Sequence, residues 1–410
     1  MTAPAASPVL PGWPPLVVPA TFPALWLGGL TVPVAALMTG VMVLLMGRAR
    51  GLVVTWPVLA LLTMTGWAGL CGLMVDDADR LLGWAFRLVV LAFVAVTTLY
   101  VLNAPRTSRS HVLGALTVVW VTTVAGGWLG LLAPTVRMTT PVGALLPSRL
   151  TSNAYVRDLF LPPFAEVQRP WGAVRELVRP SAPFPYANSW GMAILLLTPL
   201  AVAWALQVRR CCGRVLVAVG LVALVPPAVA TSNRMMLVGL GVALLVAVGR
   251  LTLRDRAAPV LVVGLGAVTV LPLVAGGWLA QVSERAAYGS AGGRLDLYQE
   301  TWDRVLRSPV MGHGAPRPSE TVAGLSVGTQ GHVWTVLFSF GVVGLLLFLG
   351  FLWGTIAQTW RARDDVHVVV HAALVAAGVA VLVYGLDVVQ LLTVGLVASV
   401  LARSPLDDLP

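Results

Sequence analysis

A polar island within an otherwise apolar chain decides the fold class. Residues 281–332 read QVSERAAYGSAGGRLDLYQETWDRVLRSPVMGHGAPRPSETVAGLSVGTQGH, and residues 333–354 follow at once with VWTVLFSFGVVGLLLFLGFLWG. The second stretch is long and apolar enough to cross a hydrocarbon core of about 30 Å as a helix. Short turns suffice to join neighbouring helices, so a polar loop of this length is expected to have a function of its own.

The composition extends this interpretation to all 410 residues. Hydrophobic residues make up 58% of the chain and charged residues 11%, with a mean hydropathy of +0.86, whereas soluble domains carry about 25% charged residues. Because lipid offers backbone groups no other partner, the apolar runs are expected to be helices. The predicted fold class is therefore all-α, a polytopic membrane helical bundle. Eleven transmembrane helices are predicted, near 24–46, 52–75, 81–102, 112–133, 190–208, 214–231, 234–249, 258–280, 332–357, 366–385 and 388–402.

Arginines in the short loops predict the orientation. All 27 basic residues are arginine, which excludes chemistry that requires a lysine. Arginines follow the ends of the odd-numbered predicted helices, and such clusters mark the cytoplasmic side. We therefore expect the N-terminus outside and the C-terminus in the cytoplasm. The predicted segments are 1–133 with helices 1–4, 134–189 as a first extracytoplasmic loop, 190–280 with helices 5–8, 281–331 as a large extracytoplasmic loop, and 332–410 with helices 9–11.

Three residues near the predicted outer face are candidates for chemistry. Arg234 opens a span at an outer end, where the positive-inside pattern disfavours arginine. Arg294 begins an amphipathic helix predicted over 294–307, where its charge opposes the helix dipole. His332 opens the ninth span at the expected boundary between water and lipid. Guanidinium groups suit phosphate, and imidazole titrates near neutral pH, but each residue has a structural alternative as an interfacial anchor.

Motifs for metals, cofactors and nucleic acids are weak or missing in the sequence. His367 and His371 have a spacing that can bind metal, but no third ligand is apparent. The DDADR stretch at 76–80 is either a polar turn or a site for a divalent cation. The sequence has no glycine-rich nucleotide loop, and it has no basic face with interleaved aromatic residues for nucleic acid. We predict that the protein needs no metal and no cofactor, and that it binds no nucleic acid.

Four stretches resemble the superfamily of O-antigen ligases and O-antigen polymerases, which are bacterial membrane glycosyltransferases. They are PFPYANSWG (183–191), SNRMMLVGLGVALL (232–245), GGRLDLYQETWDRVLRSPVMGHG (292–314) and GHVWTVLFSFGVVG (331–344). In that family, function lies in an arginine that opens a central span, an arginine that heads the helix of the large loop, and a histidine at the end of the loop. These correspond to Arg234, Arg294 and His332. The chain departs from the family at Val333, where members commonly have Asn, and in having eleven predicted spans instead of twelve.

The resemblance implies an enzyme of the bacterial plasma membrane with an active site on the extracytoplasmic face. Such enzymes transfer a glycan from a polyprenyl diphosphate donor to a hydroxyl of a glycan, lipid or protein acceptor, in contact with membrane lipids. The resemblance implies no metal and, through a single displacement, inversion at the anomeric carbon. We expect His332 to be the catalytic base, with Arg234 and Arg294 at the diphosphate. The further candidate substrate-binding residues are Arg285, Tyr298, Trp302, Asn188 and Arg179.

Two other functions remain open from the sequence. A transporter or flippase of lipid-linked glycans would also carry cationic residues, although transporters commonly place charges near the middle of the bilayer. In this chain Arg87 is the charged residue in mid-span, and most polar residues are in the predicted outer loops. A polymerase of the peptidoglycan type would rely on an external carboxylate. The sequence does not distinguish a ligase from a polymerase, and it does not name the glycan.

Overall fold

A computed structural model describes residues 9–151, 154–168, 176–252, 290–322, 325–361 and 364–403. These residues are mostly helical, which confirms the predicted helical class. The helices of the first half are α1 (Val17–Ala20), α2 (Phe22–Gly28), α3 (Thr31–Met46), α4 (Trp56–Leu70), α5 (Ala78–Asn103), α6 (Arg109–Leu132), α7 (Pro141–Leu145), α8 (Ser148–Thr151) and α9 (Ala154–Phe160). Those of the second half are α10 (Ala187–Gln207), α11 (Cys211–Thr231), α12 (Arg234–Thr252), α13 (Ser290–Arg307), α14 (His332–Gln358), α15 (Asp365–Ala380) and α16 (Val388–Ala402).

Several helices are long and apolar enough to cross a membrane, so this is a multi-pass membrane protein. Within the described ranges there are seven of them: Trp56–Met74, Ala78–Asn103, Arg109–Leu132, Ala187–Gln207, Cys211–Thr231, Arg234–Leu251 and His332–Gln358. The apolar helices α3, α15 and α16 have 15 or 16 residues, or about 22–24 Å at the rise of an α-helix. The predicted total of eleven is not confirmed, and the helix predicted at 258–280 lies outside the described residues.

The two ends of the bundle differ in character. Loops that were predicted to be cytoplasmic meet at one end, which we call the arginine-rich end. There Arg109 pairs with Asp364 at 2.8 Å and Arg403 donates to the carbonyl of Ala104 at 2.8 Å. The described parts of the segments 133–186 and 308–331 lie at the opposite end, which we call the loop-bearing end. The grouping of the loops is therefore as the arginine pattern predicts.

The N-terminal segment differs from its predicted topology. The sequence predicts one span over 24–46, but the structure interrupts it at Gly29, which has a φ of 71° that suits glycine. Tyr100 donates to the carbonyl of Pro11 at 2.8 Å, and Thr107 donates to that of Gly12 at 3.2 Å. Residues 11–12 therefore lie at the arginine-rich end, on the same side as Arg403. The chain runs along the bundle once through α1 and α2 and returns through α3, so the start of the described chain lies at the same end as Arg403, whereas the single predicted span over 24–46 would have placed it at the opposite end.

Helix α14 is broken instead of straight. Gly341 has a φ of 68° and a ψ of −171°, which is outside the helical region and is open mainly to glycine. A Cβ atom at this position would lie 2.0 Å from the carbonyl oxygen of Val310. The ring centroids of His332 and Phe348 are 4.8 Å apart, whereas residues sixteen apart in a straight helix are separated by about 24 Å. The two parts of α14 therefore fold back against each other.

Backbone donors from the large loop hold the broken helix at its turn. His313 and Gly314 donate their N–H groups to the carbonyls of Phe338 and Ser339, both at 2.8 Å. The indole of Trp67 donates to the carbonyl of Phe340 at 2.8 Å. These bonds satisfy carbonyls that the break in the helix leaves without helical partners. The turn at Gly341 is therefore part of the loop-bearing end.

Among the described residues there are two short antiparallel strand pairs. In the first loop, β1 (Ala165–Gln168) pairs with β2 (Leu177–Pro180). In the large loop, β3 (Arg317–Pro318) pairs with β4 (Ser326–Val327). The amphipathic helix that the sequence predicts at 294–307 is confirmed as α13, which begins four residues earlier at Ser290.

Candidate active site

The broken helix places His332 inside the protein. The side chain is 8% exposed, and its Nδ1 accepts a hydrogen bond from the backbone N–H of Leu386 at 3.2 Å. Phe348 lies seven residues beyond the turn at Gly341, so the ring contact puts His332 about 10 Å below that turn along the helix. A straight span would place this histidine at the boundary between water and lipid, as the sequence predicts. The break at Gly341 instead leaves it buried beneath the loop-bearing end.

His332 belongs to a polar cluster inside the bundle, which we call the central polar cluster. It consists of the buried residues His332, Gln390 and Ser189 and the half-buried residues Asp387 and Arg87. Asp387 follows Leu386 directly and precedes α16, and the hydroxyl of Ser189 is close enough to its carboxylate to lower its pKa. Gln390 donates to the carbonyl of Ser189 at 2.8 Å. Arg87 lies close enough to influence the charge of both His332 and Asp387. Burial raises the pKa of Asp387, and the Ser189 hydroxyl and Arg87 oppose that rise.

Three atoms of the central polar cluster lack a hydrogen-bond partner among the described residues. They are Nε2 of His332, Oδ2 of Asp387 and Oε1 of Gln390. Buried polar atoms are normally paired, because leaving one unpaired costs about 1–3 kcal/mol. Several such atoms together in one part of a bundle are typical of a binding or catalytic site, where a substrate supplies the missing partners.

Helix α13 packs alongside the first part of α14. The rings of Tyr298 and Trp334 are 5.0 Å apart, while Trp302 is 50% exposed. Arg294 lies one turn before Tyr298 on the same helix, and the structure does not describe its side chain. Arg285, another candidate, lies outside the described residues. Tyr298 is thus brought next to the start of α14, and Trp302 is not buried against it.

Glu300 on α13 anchors the large loop. Its carboxylate accepts hydrogen bonds from the Ser319 hydroxyl at 2.5 Å, the Thr321 hydroxyl at 2.8 Å and the Glu320 N–H at 3.0 Å, and it pairs with Arg304. Burial acts to raise the pKa of Glu300, but the hydrogen bonds from Ser319, Glu320 and Thr321 outweigh it and lower that pKa to about 2. This carboxylate therefore fixes the hairpin of the large loop onto α13.

The DDADR turn at 76–80 joins the large loop to the bundle. Arg80 donates to the carbonyls of His313 at 2.5 Å and Ala315 at 3.0 Å and pairs with Asp76, which also accepts from Arg317 at 2.7 Å. Within the described part of the chain, no group of three or more His, Cys, Asp and Glu side chains is arranged to hold a metal ion.

Arg179 and Asn188 lie together beneath the first loop. Arg179 is 9% exposed and donates to Thr231 at 3.1 Å, Glu166 at 3.2 Å and Asn188 at 2.9 Å. All three guanidinium nitrogens therefore already have protein partners. These bonds join the first loop to the ends of α10 and α11, which is a positioning role, and they leave the predicted substrate contact of either residue untested.

Arg234 opens α12 and is exposed at the loop-bearing end. The preceding residue, Asn233, accepts a hydrogen bond from the N–H of Met236 at 3.0 Å, which is the geometry of an N-cap. The side-chain nitrogen of Asn233 also donates to the carbonyl of Ala187, in the first turn of α10, at 3.4 Å. Because Asn188 and Ser189 follow in that turn, α10 links Arg234, Arg179 and the central polar cluster.

Sequence reasoning missed Asp387 and Ser189 and gave Arg87 no role. Asp387 lies between the predicted spans 366–385 and 388–402, where it reads as an ordinary linker residue. A carboxylate flanked on both sides by apolar spans is nevertheless unusual in a membrane protein and indicates function. Arg87 carried the same signal as a charge in mid-span. The neighbours of both residues come from distant helices, so their association was not visible in the sequence.

Part of the chain is similar to a known protein family. Residues 216–349 match the family model described as O-antigen ligase, which confirms the resemblance to the O-antigen ligase and polymerase family predicted from the sequence. The match includes Arg234, Arg294 and His332 and covers about a third of the chain. No curated protein and no solved structure matches the chain. The match supports an O-antigen ligase-like membrane enzyme of polysaccharide biosynthesis.

Proposed function

We propose that this protein transfers a glycan from a polyprenyl diphosphate carrier to a hydroxyl group of an acceptor at the loop-bearing end. The single observation that carries the proposal is the central polar cluster, in which Nε2 of His332 and Oδ2 of Asp387 have no partner among the described residues. It lies in the bundle beneath the large loop. The match to the O-antigen ligase family supports glycosyl transfer as the chemistry.

The reaction is a displacement at the anomeric carbon of the donor glycan. The acceptor oxygen forms a new bond to that carbon while the bond between carbon and diphosphate oxygen breaks, and the diphosphate leaves with the electron pair. The acceptor proton passes to a base of the protein. A single displacement inverts the anomeric configuration. No step in this scheme requires a metal ion, provided that cationic side chains neutralise the leaving group.

The hydrogen bond to His332 determines which of its nitrogens carries the proton, and so whether it can remove the acceptor proton. The ring accepts the Leu386 N–H at Nδ1, so the neutral imidazole carries its proton on Nε2 and donates from that atom. The sequence-based hypothesis made His332 the base. We now assign the proton acceptor to Asp387, whose raised pKa makes it a stronger base than an ordinary carboxylate. His332 then donates to an oxygen of the diphosphate as negative charge develops there.

Arginines provide the positive charge for the donor diphosphate. We assign this role to Arg234 and Arg294, as the family resemblance implies, because planar guanidinium forks bind phosphate oxygens in pairs. Arg87, which is close to both His332 and Asp387, adds positive charge inside the bundle. Tyr298 and Trp302 on α13 and the undescribed Arg285 stay as predicted substrate contacts.

We infer that the arginine-rich end faces the cytoplasm and the loop-bearing end faces outward. Short loops carry the topology signal, and their arginines gather at one end of the bundle. Residues 11–12 share that end, so we now expect the start of the described chain on the cytoplasmic side. The acceptor is then a glycan, lipid or protein outside the cell membrane.

A transporter of lipid-linked glycans is the second candidate. The observation that favours it is the position of charged and polar groups inside the bundle, half-buried Arg87 and Asp387 among them, as in many transporters. The two functions predict different chemistry, because a transporter moves its substrate without breaking the bond to the diphosphate.

The experiment uses the full chain in proteoliposomes that contain polyprenyl diphosphate glycans extracted from a strain in which the gene is deleted. We expect mass spectrometry to detect free polyprenyl diphosphate and a glycosylated acceptor with the wild-type protein. His332→Ala protein should release both products at least about a hundredfold more slowly. Movement of intact lipid-linked glycan across the bilayer without release of polyprenyl diphosphate would support the transporter instead.

A further inference from the structure

A cleft beside the central polar cluster has no function in the scheme above. It lies between α2, the start of α3, the end of α9, residues 183–185 and the start of α16. Its walls include the aromatic rings of Phe22, Trp26, Phe160 and Phe184, and the carboxylates of Asp158 and Asp387. The rings of Phe22 and Phe184 stack at a centroid distance of 6.3 Å. The cleft is therefore mainly apolar, with two acidic groups in its wall.

Two buried polar atoms of the cleft-lining residues have no hydrogen-bond partner among the described residues. They are the indole N–H of Trp26, a donor on a side chain that is only 9% exposed, and Oδ2 of Asp387, an acceptor. Asp158 is different, because Arg137 and Arg157 donate to it at 2.7 and 3.3 Å. The walls of the cleft thus include one residue with an unpaired buried donor, Trp26, and one with an unpaired buried acceptor, Asp387.

A sugar ring satisfies these groups together. A hydroxyl group accepts a hydrogen bond from an indole N–H and donates one to a carboxylate, and the C–H face of a sugar ring packs against aromatic side chains. A phosphate does not suit the cleft, because its negative charge would meet the carboxylate of Asp387, which pairs with no described arginine as Asp158 does. A purely hydrocarbon chain would leave both polar atoms unpaired, at a cost of about 1–3 kcal/mol each.

We propose that this cleft is the binding subsite for a sugar of the acceptor glycan, held by Trp26 and Asp387. The inference rests on the proposed function, because Asp387 is there the base that removes the acceptor proton. An acceptor hydroxyl has to contact that base, whereas the donor diphosphate has to contact the arginines. Since Asp387 is next to Leu386, whose N–H bonds His332, a sugar in the cleft lies beside the reacting groups.

The binding test does not depend on catalysis. Saturation-transfer NMR on the full chain in nanodiscs is carried out with a panel of methyl glycosides of common hexoses and N-acetylhexosamines as probes. The variants are Trp26→Phe, which keeps an aromatic ring and removes the indole N–H, and Trp128→Phe as the matched control. Trp128 donates its indole N–H to Ala223 and does not line the cleft. We expect at least one glycoside to bind the wild type and the control, and Trp26→Phe to weaken it by about threefold to tenfold.

A kinetic arm distinguishes the source of the sugar. If transfer activity is present, Trp26→Phe should raise KM for the acceptor by a similar factor and leave KM for the donor unchanged. A rise in the donor KM alone, or equal glycoside binding by Trp26→Phe and wild type, would overturn the proposal. The proposal is also overturned if no glycoside binds the wild type. It is overturned as well if farnesol binds in a way that depends on Trp26 and the glycosides do not. Glycoside binding without any glycosyl transfer would refute the proposed function and leave a saccharide site.

Discussion

The imidazole of His332 packs against the ring of Phe348 at 4.8 Å, although sixteen residues separate them within one helical segment. This contact depends on the non-helical backbone of Gly341, which reverses the chain between them. The position of the candidate catalytic histidine is therefore determined by a glycine nine residues away and by the loop backbone packed against that glycine.

Replacement of Gly341 by alanine tests this dependence. The φ of 68° strains any L-residue other than glycine, and the added Cβ would meet the carbonyl of Val310 at 2.0 Å. We expect Gly341→Ala to destabilise the protein by roughly 2–5 kcal/mol and to abolish transfer. Gly350→Ala is the control in the same helix, because its nearest neighbour lies at an ordinary 3.7 Å. Thermal unfolding in detergent measures both, and equal melting temperatures would contradict the strain argument.

Two substitutions at His332 separate hydrogen-bond donation from proton removal. His332→Ala should lower kcat by about 10²–10³-fold, as the loss of one donor to a developing anion does. Glutamine carries an N–H that can reach the position of Nε2, so His332→Gln should retain at least about tenfold more activity than His332→Ala. Steady-state transfer assays provide the comparison. Equal inactivity of the two variants would favour the histidine as the base.

Asp387→Asn should remove the proton acceptor and leave donor binding intact. We expect a loss of about 10²–10⁴ in kcat, which is the usual contribution of a general base. The base acts as a carboxylate, so the wild-type kcat should fall as pH decreases through the pKa of Asp387. Burial raises that pKa, so the fall should begin at a higher pH than for an ordinary aspartate. A pH–rate profile without an acid limb above the range of ordinary carboxylates would argue against this assignment.

The carboxylate of Glu300 should make the large loop sensitive to acid. Its pKa is lowered from 4.5 to about 2, so its stabilising effect is complete above about pH 4.5 and is lost as pH falls towards 2. In Glu300→Gln protein the backbone amides of β3 and β4 should exchange rapidly at all pH values. In wild type they should exchange rapidly only in acid. Asp303→Asn, an exposed change on the same helix, is the control. If hydrogen exchange depends neither on pH nor on Glu300, this carboxylate does not hold the loop on α13.

Single cysteines can determine the orientation of the two ends. Leu325 is 47% exposed in the large loop, and Trp13 is 54% exposed near the arginine-rich end. An impermeant maleimide should label Leu325→Cys in intact cells, and Trp13→Cys only in inverted vesicles. Cys211 and Cys212 are exposed and serve as internal markers of the arginine-rich end, while Trp13→Cys is made in a background without them. Labelling of Trp13→Cys in intact cells would restore the topology predicted from the sequence.

Much of the architecture follows from the sequence, because apolar length and arginine placement act locally along the chain. The amphipathic spacing of 294–307 predicted α13, where Val305 is buried and Leu306 is 59% exposed. The break in α14 could not be predicted, since glycines are common in membrane helices and only the packing of 309–314 forces Gly341 out of the helix. The N-terminal pass was missed for a related reason. The short helices α1 and α2, interrupted at Thr21 and Gly29, do not form one apolar run of spanning length.

The site residues also divide into those that local sequence identifies and those that only the packing of distant helices brings together. Arg234, Arg294 and His332 lie in recognisable sequence surroundings and were identified, and their individual roles remain predictions. Asp387 became a candidate only through its proximity to Ser189 and Arg87, which come from helices far away in the sequence. Arg179 is of a residue type that often binds anions, but its three guanidinium nitrogens already donate to Thr231, Glu166 and Asn188. Residue type alone does not reveal whether a guanidinium group is already occupied.

The depth of His332 below the turn at Gly341 has a consequence for how the proposed enzyme meets its donor. A reacting centre about 10 Å beneath the loop-bearing end can be reached while the isoprenoid tail stays among the lipid chains. Encounter then occurs by lateral diffusion in two dimensions. The rate should saturate with the mole fraction of carrier lipid in the membrane and should hardly respond to its amount per volume of suspension.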